Sequence, residues 1–491
     1  MTDNIGGCMK NILFVTSEAI PFIKTGGLAD VTGSLPKYIN KQEYDVRVIL
    51  PKYACMDDIY KNRLKFVTHF YVSLGWRNQY VGILETVEAG IHYYFIDNEY
   101  YFAGPQPYNH LHEDEDVEKF AYFSKAALAA ADAINFIPDI IHCHDWQTGL
   151  VPVFLKAYAG DYPKLAKAKT VFTIHNLRYQ GRWMMDAVKN LTGLADSYFT
   201  PDKLESYGEA NLLKGGIAFA DAVTTVSPTY AKEITTPEGG EGLDGLLRKR
   251  SSDLYGILNG LDNEEYDPVI DPYIYENFGR RNFLTGKAKN KQKLQHDLAL
   301  AEDPDTILVS MITRLTDQKG LDLVAYIMDE LLGNGRIQIA VLGTGEDRYV
   351  NMLKYFANKY HDKLSANIYY SEQMAHRIYA SSDAFLMPSQ FEPCGLSQLM
   401  SYRYGTIPIV RETGGLMDTV QPYNEYDHSG TGFSFTNFNA HEMLHTLYYA
   451  MHIYYDDRDE WNAMAMRGMQ LDYSWKTSAC AYEELYRKLL G

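Results

Sequence analysis

Lys24-Thr25-Gly26-Gly27-Leu28 stands just behind the apolar run Ile12-Leu13-Phe14-Val15. A lysine and a glycine pair in that place suit an anion. Glycine lets the backbone approach a ligand closely, a helix start offers free N–H groups, and lysine adds a full positive charge. A similar pair, Thr413-Gly414-Gly415-Leu416, follows another apolar run far along the chain. Its N–H groups suit a diphosphate, with a plain turn as the alternative. Between them, Arg314-Leu315-Thr316-Asp317-Gln318-Lys319-Gly320 spaces a guanidinium and an ammonium five residues apart. Arginine grips phosphate oxygens with a planar fork, and lysine acts as a mobile point charge. Two solvated surface cations are the bland alternative, which Gly320 and the strand-end position disfavour. Gly343-Thr344-Gly345 reads first as a tight strand–helix turn.

The remaining chemistry is carboxylate, thiol and imidazole. In Phe391-Glu392-Pro393-Cys394-Gly395-Leu396-Ser397, Glu392 can accept bonds from sugar or ribose hydroxyls, while Cys394, Gly395 and Leu396 offer backbone N–H donors. A nucleophilic role for the Cys394 thiol lacks a histidine nearby in sequence. His175-Asn176, after a run ending at Ile174, makes either a polar edge at a ligand site or a buried, satisfied histidine. His142-Cys143-His144-Asp145 hints at a metal, but on a strand Cys143 faces away from both histidines and a third ligand is missing. His110 and His112 beside the acidic run Glu113–Asp116 read as a solvated loop, the acids capping the helix that follows. No metal and no cofactor is expected.

Short β-branched runs alternate with helical patterns throughout. Strands are expected at Ile12–Val15, Val46–Leu50, Ile140–Cys143, Val171–Ile174 and Ala222–Val226, and again at Ile307–Ile312, Ile337–Leu342, Asn367–Tyr370, Ala384–Met387 and Ile407–Val410. Continuous apolar strands alternating with helices mean parallel sheets covered on both faces, here two doubly wound α/β domains. The turn Asn259-Gly260-Leu261-Asp262, with Pro268 and Pro272 beyond it, marks the break. Each chemical motif follows an expected strand, and in open α/β sheets ligands bind outside the carboxyl ends of strands. That points to one cleft.

With 491 residues the chain exceeds a single core. Its net charge, 46 − 63 = −17, argues against a general nucleic-acid or anionic-membrane surface, so an anionic substrate needs a local cationic pocket. Five scattered cysteines without a C-x-x-C argue against a disulfide framework and for a reducing compartment. The N-terminus has no apolar signal core and no run approaches a membrane span, so a cytoplasmic protein is expected, with residues 1–8 as a short extension. Tyrosine is in surplus, 40 residues, as amphipathic rings that suit sugar faces or a half-buried surface. No G-x-G-x-x-G follows the first strand, which disfavours a nicotinamide-dependent dehydrogenase.

Lys24-Thr25-Gly26-Gly27-Leu28-Ala29-Asp30-Val31 resembles the signature of bacterial glycogen synthases and plant starch synthases. The likeness runs in order through His144-Asp145-Trp146, His175-Asn176-Leu177, Asn211–Gly216, Gly242-Leu243-Asp244-Gly245, Leu258-Asn259-Gly260, Arg314–Gly320, Pro388–Leu396, Thr413–Asp418 and Asp472-Tyr473-Ser474-Trp475. It spans residues 9–491. The resemblance implies the glycosyltransferase B fold: two doubly wound Rossmann-like domains facing a cleft, residues 9–254 with 472–491 and residues 255–471, the last helix crossing back to the first domain. It implies transfer of glucose from ADP-glucose to the non-reducing 4-hydroxyl of an α-1,4-glucan such as glycogen, with retention. By motif, Lys24 and Gly27 would face the donor phosphates and Asp30 the donor glucose. Arg314 and Lys319 would neutralise the diphosphate, while Thr413, Gly414 and Gly415 hold its distal phosphate. Tyr370 would stack on adenine. His175 and Asn176 would line the glucose site, Asn259 would reach it, and Glu392, Cys394, Gly395 and Leu396 would surround the sugar hydroxyls. His175, Arg314, Lys319 and Glu392 are the expected catalytic set. Many related transferases carry a second glutamate eight positions after the first; here Met400 stands there.

Overall fold

A computed structural model describes residues 9–108 and 113–491. The extension 1–8 and the pair His110 and His112 lie outside the described residues, as do the side chains of Glu113 and Asp114. The chain divides into two units, one ending at Gly260 and regained at Trp475–Gly491, the other Leu261–Ser474.

The first unit holds strands β1 (Lys10–Val15), β2 (Tyr44–Pro51), β3 (Lys65–Leu74), β4 (Arg77–Glu88), β5 (Ile91–Asp97), β6 (Ile140–His144), β7 (Lys169–Ile174), β8 (Arg182–Met184), β9 (Glu205–Ser206), β10 (Glu209–Asn211), β11 (Ala222–Thr225) and β12 (Leu254–Gly256). Its main sheet runs β12-β11-β7-β6-β1-β2-β5-β4-β3, and β8, β10 and β9 form a small separate sheet. The strands from β12 to β5 pair in parallel, whereas β4 and β3 are antiparallel. The central strands are buried along nearly their whole length, as sheets covered on both faces require.

Three strands between residues 65 and 97 go beyond the sequence expectation. The first is half exposed and alternates polar with apolar residues, so it lacks the continuous apolar run of a doubly covered strand. Gly75, at φ 57°, makes the tight turn into β4.

The second unit holds β13 (Ile307–Ile312), β14 (Ile337–Leu342), β15 (Leu364–Asn367), β16 (Ala384–Met387), β17 (Ile407–Arg411) and β18 (Phe433–Phe435), ordered β15-β14-β13-β16-β17-β18 and all parallel. The strand expected at Asn367–Tyr370 is corrected: it ends at Asn367. Tyr369 and Tyr370 lie beyond it, and the Ser371 hydroxyl accepts the Met374 N–H at 3.1 Å to cap the next helix.

Both main sheets reverse strand order in the same way. The second sheet steps outward from β13 on one side and from β16 on the other; the first does so at β1 and β6. At such a switch point the loops leaving the two central strands diverge to opposite faces and open a crevice at the carboxyl edge.

The helix Trp475–Leu490 belongs to the first unit. Trp475, Tyr482 and Tyr486 are buried in its core, and the Glu483 carboxylate accepts the Asn40 N–H at 2.9 Å. Gly260 packs so closely here that a Cβ would lie 2.5 Å from the Trp475 Cα. Among the described residues, no helix is long and apolar enough to cross a membrane. Truncating a fully enclosed tryptophan forfeits its transfer energy and leaves a cavity, so Trp475→Ala should cost about 3–5 kcal/mol. Chemical denaturation followed by circular dichroism should show that loss; a change within about 0.5 kcal/mol would contradict the packing described.

Candidate functional site

The crevice of the second unit is built by the loops leaving β13 and β16. Lys319, in the loop after β13, meets Glu392, in the loop after β16, with Nζ 2.6 Å from Oε2. The Ser389 hydroxyl donates to the same oxygen at 2.9 Å. Glu392 is 8% exposed. A carboxylate withdrawn from water holds its charge only when paired and hydrogen-bonded, and both conditions are met. The two loops are also stitched together: the Gln390 N–H donates to the Gln318 carbonyl at 2.8 Å, and Gln318 Nε2 donates to the Phe391 carbonyl at 3.2 Å. Gly320 sits at φ 71°, and a Cβ there would lie 2.1 Å from the Pro388 carbonyl. Only glycine allows this approach.

Arg314 lies exposed just past the end of β13 and makes no ion pair among the described residues. Thr413, Gly414 and Gly415 follow β17 and pack backbone to backbone against the Glu392 loop. The Gly415 N–H donates to the Glu392 carbonyl at 3.1 Å, and Cβ atoms on Gly414 and Gly415 would lie 2.1 and 2.0 Å from the carbonyls of Glu392 and Cys394. Cys394 is buried and forms no disulfide. Gly395 and Leu396 complete the loop, and Gln398 Nε2 holds it through the carbonyls of Cys394 at 3.1 Å and Gly395 at 3.0 Å. A cavity of about 50 Å³ lies beside Lys319, Ser389, Glu392 and Gly395. Tyr370 is 78% exposed at the same strand-end edge beyond β15. Met400 is buried in the second core.

In the first unit, the loop after β1 turns on Glu18, which is 2% exposed. Its carboxylate accepts the Thr25 N–H, the Thr25 hydroxyl at 2.7 Å and the Tyr108 hydroxyl, while its carbonyl accepts the Thr32 hydroxyl at 2.5 Å. Burial raises the Glu18 carboxyl above its ordinary value, and the Tyr108 and Thr25 bonds oppose that rise. Glu18 thus anchors the segment that presents exposed Lys24 and Gly27. Lys24 pairs with Asp30 at 2.7 Å. A Cβ on Gly26 would meet nothing within 4 Å, so packing does not account for that glycine.

The loop after β6 begins at Asp145, held at φ 56°, ψ −177°. The residue is partly exposed, but its carboxylate turns inward and accepts the His175 N–H at 2.7 Å. Desolvation raises the Asp145 carboxyl to about 7, against the lowering effect of the His175 and Asn176 N–H groups. Asp145 therefore fixes the corner carrying both residues. His175 Nε2 lies 3.0 Å from His144 Nδ1, and burial lowers His175 to about 3, so its ring is neutral near pH 7. His142 contacts the Tyr486 hydroxyl at 2.8 Å and the Thr173 hydroxyl at 2.6 Å, so both of its nitrogens are engaged. Asn259 is buried near the end of the unit, its Oδ1 without a hydrogen-bond partner among the described residues.

The structure therefore joins Lys319 to Glu392, Thr413–Gly415 to Glu392 and Cys394, Lys24 to Asp30, and His175 with Asn176 to Asp145. Arg314 lies apart from these groupings, in no ion pair among the described residues. Sequence reasoning gave no role to Glu18, Ser389 or Gln398 and none to Asp145 as a scaffold. Glu18 was readable: Thr16-Ser17-Glu18 puts a carboxylate directly after a buried strand.

The model of the starch synthase catalytic domain family matches residues 11–249, and that of glycosyl transferases group 1 matches residues 291–466. The chain is 58% identical over 481 residues to a glycogen synthase of Lachnospira eligens and 56% identical over 481 residues to one of Lachnoclostridium phytofermentans, covering 98% of this chain and 100% of each relative. A solved structure, the catalytic domain of starch synthase IV from Arabidopsis thaliana bound to ADP and acarbose, superposes with a TM-score of 0.89 at 34% identity over 98% of this chain and 100% of that one.

The Asp145 carboxyl yields a signed pH effect. Folded it titrates near 7, unfolded near 3.8, so the folded state holds the extra proton between those values. Its stabilising contribution is full below about pH 4 and is lost as pH rises through about 7. Asp145→Asn removes that slope: relative to the unsubstituted chain, the variant's urea midpoint should gain between pH 5 and 7.5. A difference independent of pH would contradict the raised carboxyl.

Proposed function

This chain belongs to the glycogen and starch synthase family of glycosyltransferases, and on that premise we propose that it transfers glucose from ADP-glucose to the non-reducing 4-hydroxyl of an α-1,4-glucan, with retention. The observation that carries this reading is the Lys319–Glu392 ion pair at the switch point of the second sheet, with exposed Arg314 on the same loop after β13 as Lys319. ADP leaves with charge building on its β-phosphate, so cations and N–H groups fixed in advance supply rate. Arg314 and Lys319 would take that charge, with Thr413, Gly414 and Gly415 on the distal phosphate and Lys24 and Gly27 also serving the phosphates. The exposed Tyr370 ring suits stacking on adenine. The plant synthase held with ADP and acarbose supports an adenosine-diphosphate donor and a glucan acceptor.

Neutral His175, with Asn176, Asp30 and Asn259, would bind donor glucose, and Glu392, Cys394, Gly395 and Leu396 its hydroxyls. Glu392 is already committed to Lys319 and Ser389, which argues against a carboxylate nucleophile. Transfer then proceeds on one face of an oxocarbenium-like centre, the departing phosphate taking the acceptor proton.

A donor screen with a glycogen primer tests the reading: ADP release should exceed UDP release, with new α-1,4 linkages in the product. Faster UDP release, or glucan binding without turnover, would overturn it. Lys319→Ala should lower turnover by about 10²–10³ with the fold intact. Gly26→Ala should leave the melting temperature unchanged yet raise KM for the donor; unaltered kinetics would remove the Lys24 loop from the donor site.

A further inference from the structure

The helix Glu372–Ser381 opens with a glutamate and carries His376 one turn later. Residues four apart on a helix lie on one face. Glu265, in the segment after Leu261, reaches the same place: one carboxylate oxygen from each glutamate and a ring nitrogen of His376 lie within 4.8 Å of one another. The glutamates are exposed and the histidine is 1% exposed.

His376 is held as a ligand imidazole is held. Its Nδ1 lies 2.8 Å from Asp271 Oδ2, which also accepts the Tyr404 hydroxyl at 2.5 Å. Asp271 thus accepts the Nδ1 proton and leaves Nε2 as the lone-pair nitrogen. Tyr266 stacks on the ring at 4.8 Å and 16°, and Tyr273 meets it edge-on at 5.1 Å, fixing its plane. Nε2 is buried and has no hydrogen-bond partner among the described residues. A buried imidazole nitrogen without a partner is costly, so its lone pair calls for an electrophile or a donor.

We propose that Glu265, Glu372 and His376 form a binding site for a divalent first-row transition cation, with Zn²⁺ as the reference ion. Imidazole nitrogen disfavours Ca²⁺ and Mg²⁺, and two carboxylates neutralise a double charge. Ligands about 2.0–2.1 Å from a tetrahedral ion sit about 3.4 Å apart. The glutamates close the remaining gap by rotamer change, which solvent-exposed side chains make at low cost. The ion would clip the segment following Leu261 to the start of the helix whose preceding residues are Tyr370 and Ser371. Its binding would therefore order the Tyr370 loop as well as raise stability.

The test uses the full chain stripped with a chelator and titrated with Zn²⁺ alone, by calorimetry and by metal analysis after gel filtration. One ion per chain should bind more tightly than any other, and its loss in Glu372→Gln and in Glu265→Gln should lower the stoichiometry by one or weaken that site at least tenfold. Because these residues are exposed, both variants keep their fold even if His376→Gln does not. Co²⁺ in place of Zn²⁺ should give a visible spectrum that both variants lose. Unchanged Zn²⁺ binding in both glutamine variants, or no tight ion at all, would overturn the site and assign Nε2 to a water.

Discussion

The Lys319–Glu392 pair is the contact on which the arrangement of the second unit's polar edge depends. Two charges drawn partly out of water hold together only when their geometry is good and their spare lone pairs are satisfied. Ser389 satisfies one, and the stitches from Gln318 to Gln390 and Phe391 keep the loops in register. Those stitches require loops from neighbouring strands to touch main chain to main chain. Gly320 against Pro388, and Gly414 and Gly415 against Glu392 and Cys394, make that possible. Glycines that read in sequence as ligand cradles are thus first of all packing elements. Gly26 differs, since nothing in the fold crowds it.

The first unit reaches a similar result by other chemistry. Its two central loops are held by carboxylates that accept from backbone: Glu18 from Thr25, and Asp145 from the His175 turn. Neither is an ion pair. Burial raises both carboxyls, so acidity there is set by desolvation against N–H and O–H donors.

Most of the central framework was legible in the sequence because fully buried parallel strands declare themselves as apolar runs. Nine of the ten expected strands lie close to their expected positions. Asn367–Tyr370 did not, because tyrosines favour strands by propensity while Ser371 starts a helix by capping. The antiparallel strands after residue 65 were illegible because one covered face leaves no continuous run. At the site, the residue types and their strand-end positions could be read. The pairings could not, since Ser389, Gln398 and Glu18 act through geometry that spacing does not encode. The Glu372/His376 spacing was visible, but Glu265 and Asp271 join it only through the fold, more than a hundred residues apart in sequence.

The helix Trp475–Leu490 completes the core of the first unit, although the whole second unit precedes it in the chain. During synthesis the emerging first unit therefore lacks Trp475, Tyr482 and Tyr486, and His142 lacks its tyrosine partner. At about 5–20 residues per second that interval lasts roughly ten to forty seconds. Throughout it an apolar groove stands open on a nascent chain. Completion of the first unit is thereby tied to translation of the second, and a chain terminated early would carry an exposed apolar surface that quality control can recognise.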